Sequence, residues 1–328
     1  MSEQETKDML VIGTRGSDLA LWQAHRIQAR LGGPGVVRIE IIQTSGDQLR
    51  DIKISEQLDK GFFTKELEAA LLDGRVDLAV HSLKDLPTQL PDGLVLAATP
   101  ERAPVGDLLL VRPEAVDTTR SLPLRPDAPV GTSSLRRVSQ LNRLLPDATT
   151  GLFRGNVETR IAKCVRGEVD AVLLARAGVS RLGLDVTPLV AFDLDPWQWL
   201  PAAAQGALGI ETRAGDARTL AAIAPLHDAD TAALCEAERG VLAILEGGCH
   251  VAYGARAEFR MCDAQRCIHL RVGADSDTGV WYVVDVCEPA ETVINAAWTA
   301  LQAAWRGERP EAEVQEFAPC WKAAQPWS

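Results

Sequence analysis

The stretch Gly74-Arg75-Val76-Asp77-Leu78-Ala79-Val80-His81-Ser82-Leu83-Lys84-Asp85-Leu86-Pro87 decides the fold. Gly74 stops a helix that the apolar spacing predicts over residues 64–72. The apolar run 76–80 is too short for a helix and reads as a strand buried on both faces of a parallel sheet. His81, Ser82, Lys84 and Asp85 then fall at the carboxyl end of that strand, the edge at which open α/β sheets gather ligands. They place acid, base and anion-holding groups together. The same residues also read as a plain polar turn closed by Pro87.

Upstream, residues 9–13 read as a short strand, Ser17 as the cap of a helix reaching about Leu31, and residues 36–43 as a second strand. Downstream the pattern returns. Val130-Gly131-Thr132 ends a strand, Ser133 or Ser134 caps a helix through Leu144, residues 158–165 are helical, and residues 169–174 form another buried strand. Gly74-Arg75-Val76-Asp77 is echoed by Gly167-Glu168-Val169-Asp170, and Ile12-Gly13-Thr14 by Val130-Gly131-Thr132. The echoes predict two similar α/β lobes with a cleft between them, both Gly-Thr turns opening helices whose N–H groups favour anions. Gln205-Gly206-Ala207-Leu208-Gly209-Ile210-Glu211 reads as a turn into a strand that crosses back to complete the first lobe's sheet. Beyond about His227 the order becomes a long helix over 230–245, strands near 251–259, 268–274 and 280–286, and a helix over 291–305. That order describes a smaller C-terminal α+β domain, with a peripheral tail after Arg306. The expected domains are residues 1–103 with 203–223, residues 104–202, and residues 224–328.

The bulk numbers narrow the functional classes. A length of 328 residues fits about two to three domains, and 46% apolar with 24% charged residues is a globular balance. A net charge of −11 argues against a nucleic-acid partner. No apolar run is long enough for a membrane span, and the polar, acidic first residues lack a signal-peptide layout, so the expected location is the cytoplasm. The 7 cysteines are odd in number and show no zinc-type spacing, so neither a disulfide framework nor a metal is expected; Cys262 and Cys267 beside His269 come nearest to a metal pattern.

Within this acidic chain, arginines sit at helix starts and strand ends: Arg15, Arg136, Arg137, Arg154, Arg160 and Arg181. A cation at a helix N-terminus opposes the macrodipole, a cost that an anionic ligand relieves. The alternative is ordinary surface arginines in an arginine-rich chain. Glu246-Gly247-Gly248-Cys249 sets a thiol on a sharp turn, either a nucleophile or a small buried residue starting a strand.

Taken in order, these segments resemble the porphobilinogen deaminase family from Ile12 to about Glu258. The matching blocks are Gly13-Thr14-Arg15-x-Ser17-x-Leu19-Ala20-Leu21-Trp22-Gln23-Ala24, Lys65-Glu66-Leu67-Glu68, Ala79-Val80-His81-Ser82-Leu83-Lys84-Asp85-Leu86-Pro87, Gly131-Thr132-Ser133-Ser134-Leu135-Arg136-Arg137, Arg154-Gly155-Asn156-Val157 and Leu245-Glu246-Gly247-Gly248-Cys249. The resemblance implies two periplasmic-binding-protein-like α/β lobes with a cleft, plus the C-terminal α+β domain carrying the cofactor cysteine. It implies a transferase of porphyrin, tetrapyrrole and haem biosynthesis that condenses four porphobilinogen molecules head to tail into hydroxymethylbilane, releasing ammonia. The primer would be one dipyrromethane per chain, held by a thioether to Cys249.

By motif match Asp85 is the catalytic residue, stabilising the positive charge that develops as ammonia leaves. Lys84, Ser133, Arg136, Arg137, Asp47, Thr132 and Gln205 carry over as cofactor contacts. Arg15, Ser17, Arg154, Arg160, Arg181 and Phe63 carry over as contacts to porphobilinogen and the growing oligopyrrole chain. Residues 51–61 fall where the family places an active-site cover. A monomer is implied. The chain departs from the family at Asp18, Ser45, Ala204, His250 and Ala252-Tyr253. A two-lobed anion-binding protein would explain the lobes and arginines, but not Cys249 or the last domain. A decayed deaminase kept as a structural protein would not explain the intact catalytic set.

Overall fold

The computed structural model describes residues 9–44, 64–151, 153–246, 252–276, 279–308 and 319–325. In chain order the elements are β1 (Leu10–Thr14), α1 (Asp18–Arg30), β2 (Val37–Ile41), α2 (Lys65–Leu72), β3 (Leu78–Ser82), β4 (Leu94–Ala98) and β5 (Asp107–Val111). Next come β6 (Val130–Gly131), α3 (Leu135–Leu144), β7 (Thr150–Gly151), α4 (Val157–Val165), β8 (Ala171–Ala175), α5 (Arg176–Leu182) and β9 (Val190–Leu194). The chain continues with β10 (Leu208–Arg213), α6 (Ala217–Ile223), α7 (Ala229–Glu246), β11 (Tyr253–Cys262), β12 (Gln265–Asp275), β13 (Trp281–Glu288), α8 (Val293–Trp305) and β14 (Trp321–Ala323). Among the described residues no helix is long and apolar enough to cross a membrane.

Two compact units result, Met1–Ala103 with Ala207–Ala232, and Pro104–Gly206 with Ala233–Ser328. The first holds a five-stranded sheet in the order β2-β1-β3-β10-β4. β1 runs parallel to β2 and β3, while β10 is antiparallel to both β3 and β4. The returning segment after Gln205 therefore joins this sheet, as its sequence predicts, and takes a place between β3 and β4. Ile12, Leu78 and Ile210 are fully buried there, packed with Ala24 and Ile27 of α1.

The second unit holds a six-stranded sheet, β14-β9-β5-β8-β6-β7. β6 is parallel to β7 and β8, and β5 is antiparallel to β8 and β9. Apart from the edge strand β14, this is the order of the first sheet, with β6, β7, β8, β5 and β9 in the places of β1, β2, β3, β10 and β4. The short sequence echoes thus mark a structural repeat. Gly131 packs against the Phe153 ring so closely that a Cβ there would lie 2.7 Å from it.

A three-stranded antiparallel sheet, β11-β12-β13, completes the second unit. Its inner face, with Ala255, Ala257, Leu270, Val272 and Val284, packs on Val241 and Leu245 of α7 and on Ala297 and Leu301 of α8. The architecture is the expected one: two α/β lobes and a smaller α+β module.

Three local readings need correction. β3 starts at Leu78, not Val76, because the Asp77 carboxylate turns aside to accept from Val11 N (2.8 Å) and Arg213 (3.2 Å). Of the two serines offered as the cap of α3, Ser134 holds the N-cap position and its carbonyl accepts from Val138 N (3.0 Å), but its side chain makes no capping bond; Ser133 lies outside the helix, its Oγ exchanging hydrogen bonds with the Phe153 backbone (2.9 and 3.0 Å). The tail is not wholly peripheral, since β14 pairs antiparallel with β9 and Cys320 is buried in the second lobe's core.

Candidate active site

The chemistry-bearing turn of the first unit is built by strand ends. β3 runs out at Ser82, and Leu83–Asp85 wind one 3-10 turn pinned by Leu83 N donating to Ala207 O (3.0 Å). Leu83 is buried and anchors the turn, Lys84 is half-buried, and Asp85 is exposed. At the neighbouring strand end, Ser17 caps α1 and accepts from Ala20 N (3.4 Å). Asp18 suits the first turn of that helix, where a negative charge meets the positive end of the dipole. Gln23 of α1 ties the two strand ends together through a 2.7 Å hydrogen bond to Ser82 Oγ. Arg15, Ser17, Gln23, Ser82 and Asp85 line one open pocket with Thr64, Leu67, Val80 and His81. The pocket combines a cation, hydroxyls, an amide and a carboxylate over an apolar floor.

Beneath it lies a buried polar cluster. His81 and Glu211 of β10 share a 3.0 Å hydrogen bond, with Glu211 fully buried. Glu68 of α2 is close enough to interact with both, and burial, reinforced by the Glu211 charge, raises its carboxyl above the ordinary range. Glu68 Oε1 and Glu211 Oε1 are buried without a hydrogen bond among the described residues. The sequence reading placed His81 at the carboxyl end of its strand but gave neither acid a role; Glu211 lies 130 residues from His81, and it is this return of β10 that gathers the cluster.

In the second unit, Arg136 and Arg137 of α3 converge on Asp107, the first residue of β5. Asp107 accepts from Arg136 (3.0 Å), from Arg137 twice (3.0 and 2.8 Å), from Trp199 Nε1 (2.9 Å) and from Gln205 Nε2 (2.8 Å). Burial alone would raise this carboxyl; the two arginine charges, with hydrogen bonds from Arg137 and Trp199, hold it well below the usual carboxylate range. The guanidinium groups also donate to carbonyls, Arg136 to Leu200 (2.6 Å) and Arg137 to Leu173 (2.9 Å). The arginine forks thus meet a carboxylate of their own chain. Asp107 had one signal in the sequence, an acid heading the apolar run Leu108–Val111, where an unpaired charge is too costly to bury.

The remaining expected residues occupy separate places. Thr132 is buried and Ser133 exposed. Arg154 and Arg160 are half-buried at the start of α4, where Asn156 caps the helix and Arg160 Nε donates to Gly155 O (2.8 Å). Arg181 donates to Gly206 O (2.7 Å), and burial pushes its guanidinium down to about 10, leaving it a cation at neutral pH. Asp47, Phe63, Cys249 and the segment 51–61 lie outside the described residues, as do the departures Ser45 and His250. The departure Ala204 adopts a left-handed backbone, φ 58°, fully buried, its N–H bonded to Glu238 (2.7 Å).

The family model and the sequence relatives agree on one family. Residues 10–221 match the family model described as "Porphobilinogen deaminase, dipyromethane cofactor binding domain". Proteins named porphobilinogen deaminase align over most of both chains. The one from Syntrophobacter fumaroxidans is 44% identical over 77% of this chain and 81% of its own length. The one from Nitratidesulfovibrio vulgaris (strain Miyazaki F) is 47% identical over 76% and 77%. The one from Caulobacter vibrioides (strain NA1000 / CB15N) is 48% identical over 75% and 78%. Among solved structures, an ABC transporter / periplasmic binding protein from Brucella ovis with glutathione bound is 15% identical, covering 74% of this chain and 70% of that one, with a TM-score of 0.37. Likeness at that level carries no functional weight.

Proposed function

The chain belongs to the porphobilinogen deaminase family, and on that premise we propose how its residues carry the family's reaction. The enzyme is a transferase of tetrapyrrole biosynthesis: four porphobilinogen molecules are joined head to tail to hydroxymethylbilane, with loss of ammonia at each addition. The observation that supports a place for this chemistry is the exposed Asp85 carboxylate on a rigid turn, in one pocket with Arg15 and Ser17.

The pocket's side chains fit a dipyrromethane. Arg15 and Ser17 offer a cation and a hydroxyl to acetate and propionate groups, and Asp85 offers an acceptor to a pyrrole N–H. When bound through the Cys249 sulfur, this group supplies the pyrrole carbon to which the first substrate is joined. The chain's own part is electrostatic and positional. The Asp85 carboxylate accepts the pyrrole N–H and stabilises positive charge as ammonia departs; it then holds the proton released as the ring regains aromaticity. Arg15, Ser17, Arg154, Arg160, Arg181 and Phe63 hold the acid groups and ring of the substrate. Lys84, Ser133, Thr132, Asp47 and Gln205 orient the cofactor. Arg136 and Arg137, tied to Asp107, together present one net positive charge to the cofactor's acids. We place the enzyme in the cytoplasm as a monomer with no nucleic-acid or membrane partner.

The test is turnover of porphobilinogen with ammonia and bilane counted together. The expected result is four substrate molecules consumed and four ammonia released per bilane. Binding of porphobilinogen without ammonia release is what an anion-binding protein would show, and it would overturn the assignment.

A further inference from the structure

Three thiols meet at one end of the three-stranded sheet. Cys262 closes β11, Cys267 lies near the start of β12, and Cys287 lies near the end of β13. Side chains alternate across a pleated strand. Phe259 of β11, Ile268 and Leu270 of β12, and Val284 and Val286 of β13 all face the core against α8. The three cysteines, offset from these by odd numbers of residues, fall together on the opposite face. Cys287 is exposed, Cys262 half-buried and Cys267 buried. The Cys262 and Cys287 sulfurs are 2.8 Å apart. A disulfide needs about 2.05 Å, so an approach of less than about 1 Å closes the bond. Neither thiol has a part in the reaction described above.

We propose that Cys262 and Cys287 form a reversible disulfide site that closes when a hydroperoxide reaches the outer face of this sheet. One thiolate attacks the peroxide oxygen; the O–O bond breaks, an S–O bond forms, and the departing oxygen leaves as water after protonation. The second thiol then attacks the sulfenic sulfur; the S–S bond forms, the S–O bond breaks, and a second water leaves. The two thiols lose two electrons and two protons, and one hydrogen peroxide becomes two waters. A dithiol reductant reverses the change.

The second step is intramolecular between sulfurs already in contact, so it outruns over-oxidation to the sulfinic acid, which requires another peroxide. The hydrogen bond with Cys262, then burial, push the Cys287 thiol up to about 11, with Arg260 pulling the other way. Cys287 is therefore a thiol at neutral pH, which gives it the second role: Cys262 meets the peroxide, and Cys287 attacks the sulfenic sulfur formed there. The product would tie β11 to β13 across β12, joining the two outer strands of the sheet.

Trypsin makes the test clean. Cleavage after Arg260, Arg266, Arg271 and Arg306 puts the three cysteines on separate peptides, 261–266, 267–271 and 272–306. The reduced full-length protein is exposed to hydrogen peroxide, blocked with N-ethylmaleimide, digested and mapped by mass spectrometry. The expected product joins 261–266 to 272–306, disappears with dithiothreitol, and survives in Cys267→Ser. In Cys262→Ser the link is lost and Cys287 stays open to alkylation, whereas in Cys287→Ser it is Cys262 that is captured by dimedone as a sulfenic acid or proceeds to the sulfinic acid. Linkage of 261–266 chiefly to 267–271 would overturn the proposal. So would alkylation of Cys262 and Cys287 as fast after peroxide as before, a result the wild-type protein gives without any variant.

Discussion

The two α/β lobes share a strand order, and in each the inserted antiparallel strand buries an acid, yet the two acids are handled in opposite ways. In the second lobe Asp107 of β5 is saturated by two arginines, a tryptophan and a glutamine. In the first, Glu211 of β10 has His81 as its ring partner, faces the acidic Glu68, and keeps one oxygen unbonded among the described residues. The difference continues at the strand paired with each acid-bearing strand, β8 beside β5 and β3 beside β10. β8 runs straight into a helix, α5, whereas β3 ends in a short turn that leaves Asp85 exposed at a pocket. One repeat has closed its charges inward; the other presents a carboxylate outward. Charged residues that look alike in sequence therefore divide into those that hold the fold and those free to meet a ligand.

Swapping the outward carboxylate, Asp85, and the inward one, Asp107, for amides breaks this comparison most directly. Asp85→Asn is expected to lower turnover by roughly 10²- to 10⁴-fold while leaving the unfolding free energy within about 0.5 kcal/mol of wild type, read by steady-state assay and urea titration. Near-normal turnover would remove Asp85 from the mechanism. Asp107→Asn reverses the pattern: two guanidinium groups lose their buried counter-charge, and stability falls by about 3–5 kcal/mol. A small loss in urea titration would mean that the hub is not what secures α3 to β5.

Acid sensitivity sharpens the same contrast. On the outer face of the three-stranded sheet, burial would raise the Asp285 carboxyl, but hydrogen bonds from His269 and Arg271 and the Arg271 charge bring it down from 3.8 to about 2. A depressed folded value means stability that is fully present above 3.8 and lost as pH falls from there toward about 2. Discounted for partial exposure, the contribution is on the order of 1–2 kcal/mol. Asp285→Asn should lower stability at pH 7 by that amount and lessen the loss between pH 4 and pH 2; an unchanged acid profile would refute the pairing.

The smallest effect concerns Ala204. A left-handed backbone at a non-glycine residue costs about 1–2 kcal/mol, which offsets the burial of its methyl group, worth about 0.8 kcal/mol. Ala204→Gly is therefore expected to be neutral or to stabilise slightly, whereas Ala203→Gly, also buried but without a positive φ, should lose about 1 kcal/mol. Equal losses at both positions would contradict the strain at Ala204.

Much of this is legible in the sequence alone. The apolar periods located the helices, and the Gly-Thr echo located the repeat, because both are local signals. The return of residues 208–213 to the first sheet was legible because a glycine-rich turn leads into a strand after the second lobe is complete. Long-range charge pairing was not. Asp107 meets Arg136, Arg137, Trp199 and Gln205 across 29, 30, 92 and 98 residues, and Glu211 meets His81 across 130. No periodicity encodes such partners; only the rule that buried charges need them does. Trp321–Ala323 was missed for a related reason, since three residues after a proline-containing tail form a strand only because β9 offers a free edge.

The intact mass of the purified full-length chain, produced with porphobilinogen available, tests the central claim most directly. The account predicts wild-type protein heavier than its sequence by two linked pyrrole units, and Cys249→Ser protein at the bare sequence mass. Wild-type protein at the bare mass, with no pyrrole colour in acidic aldehyde reagent, would contradict it.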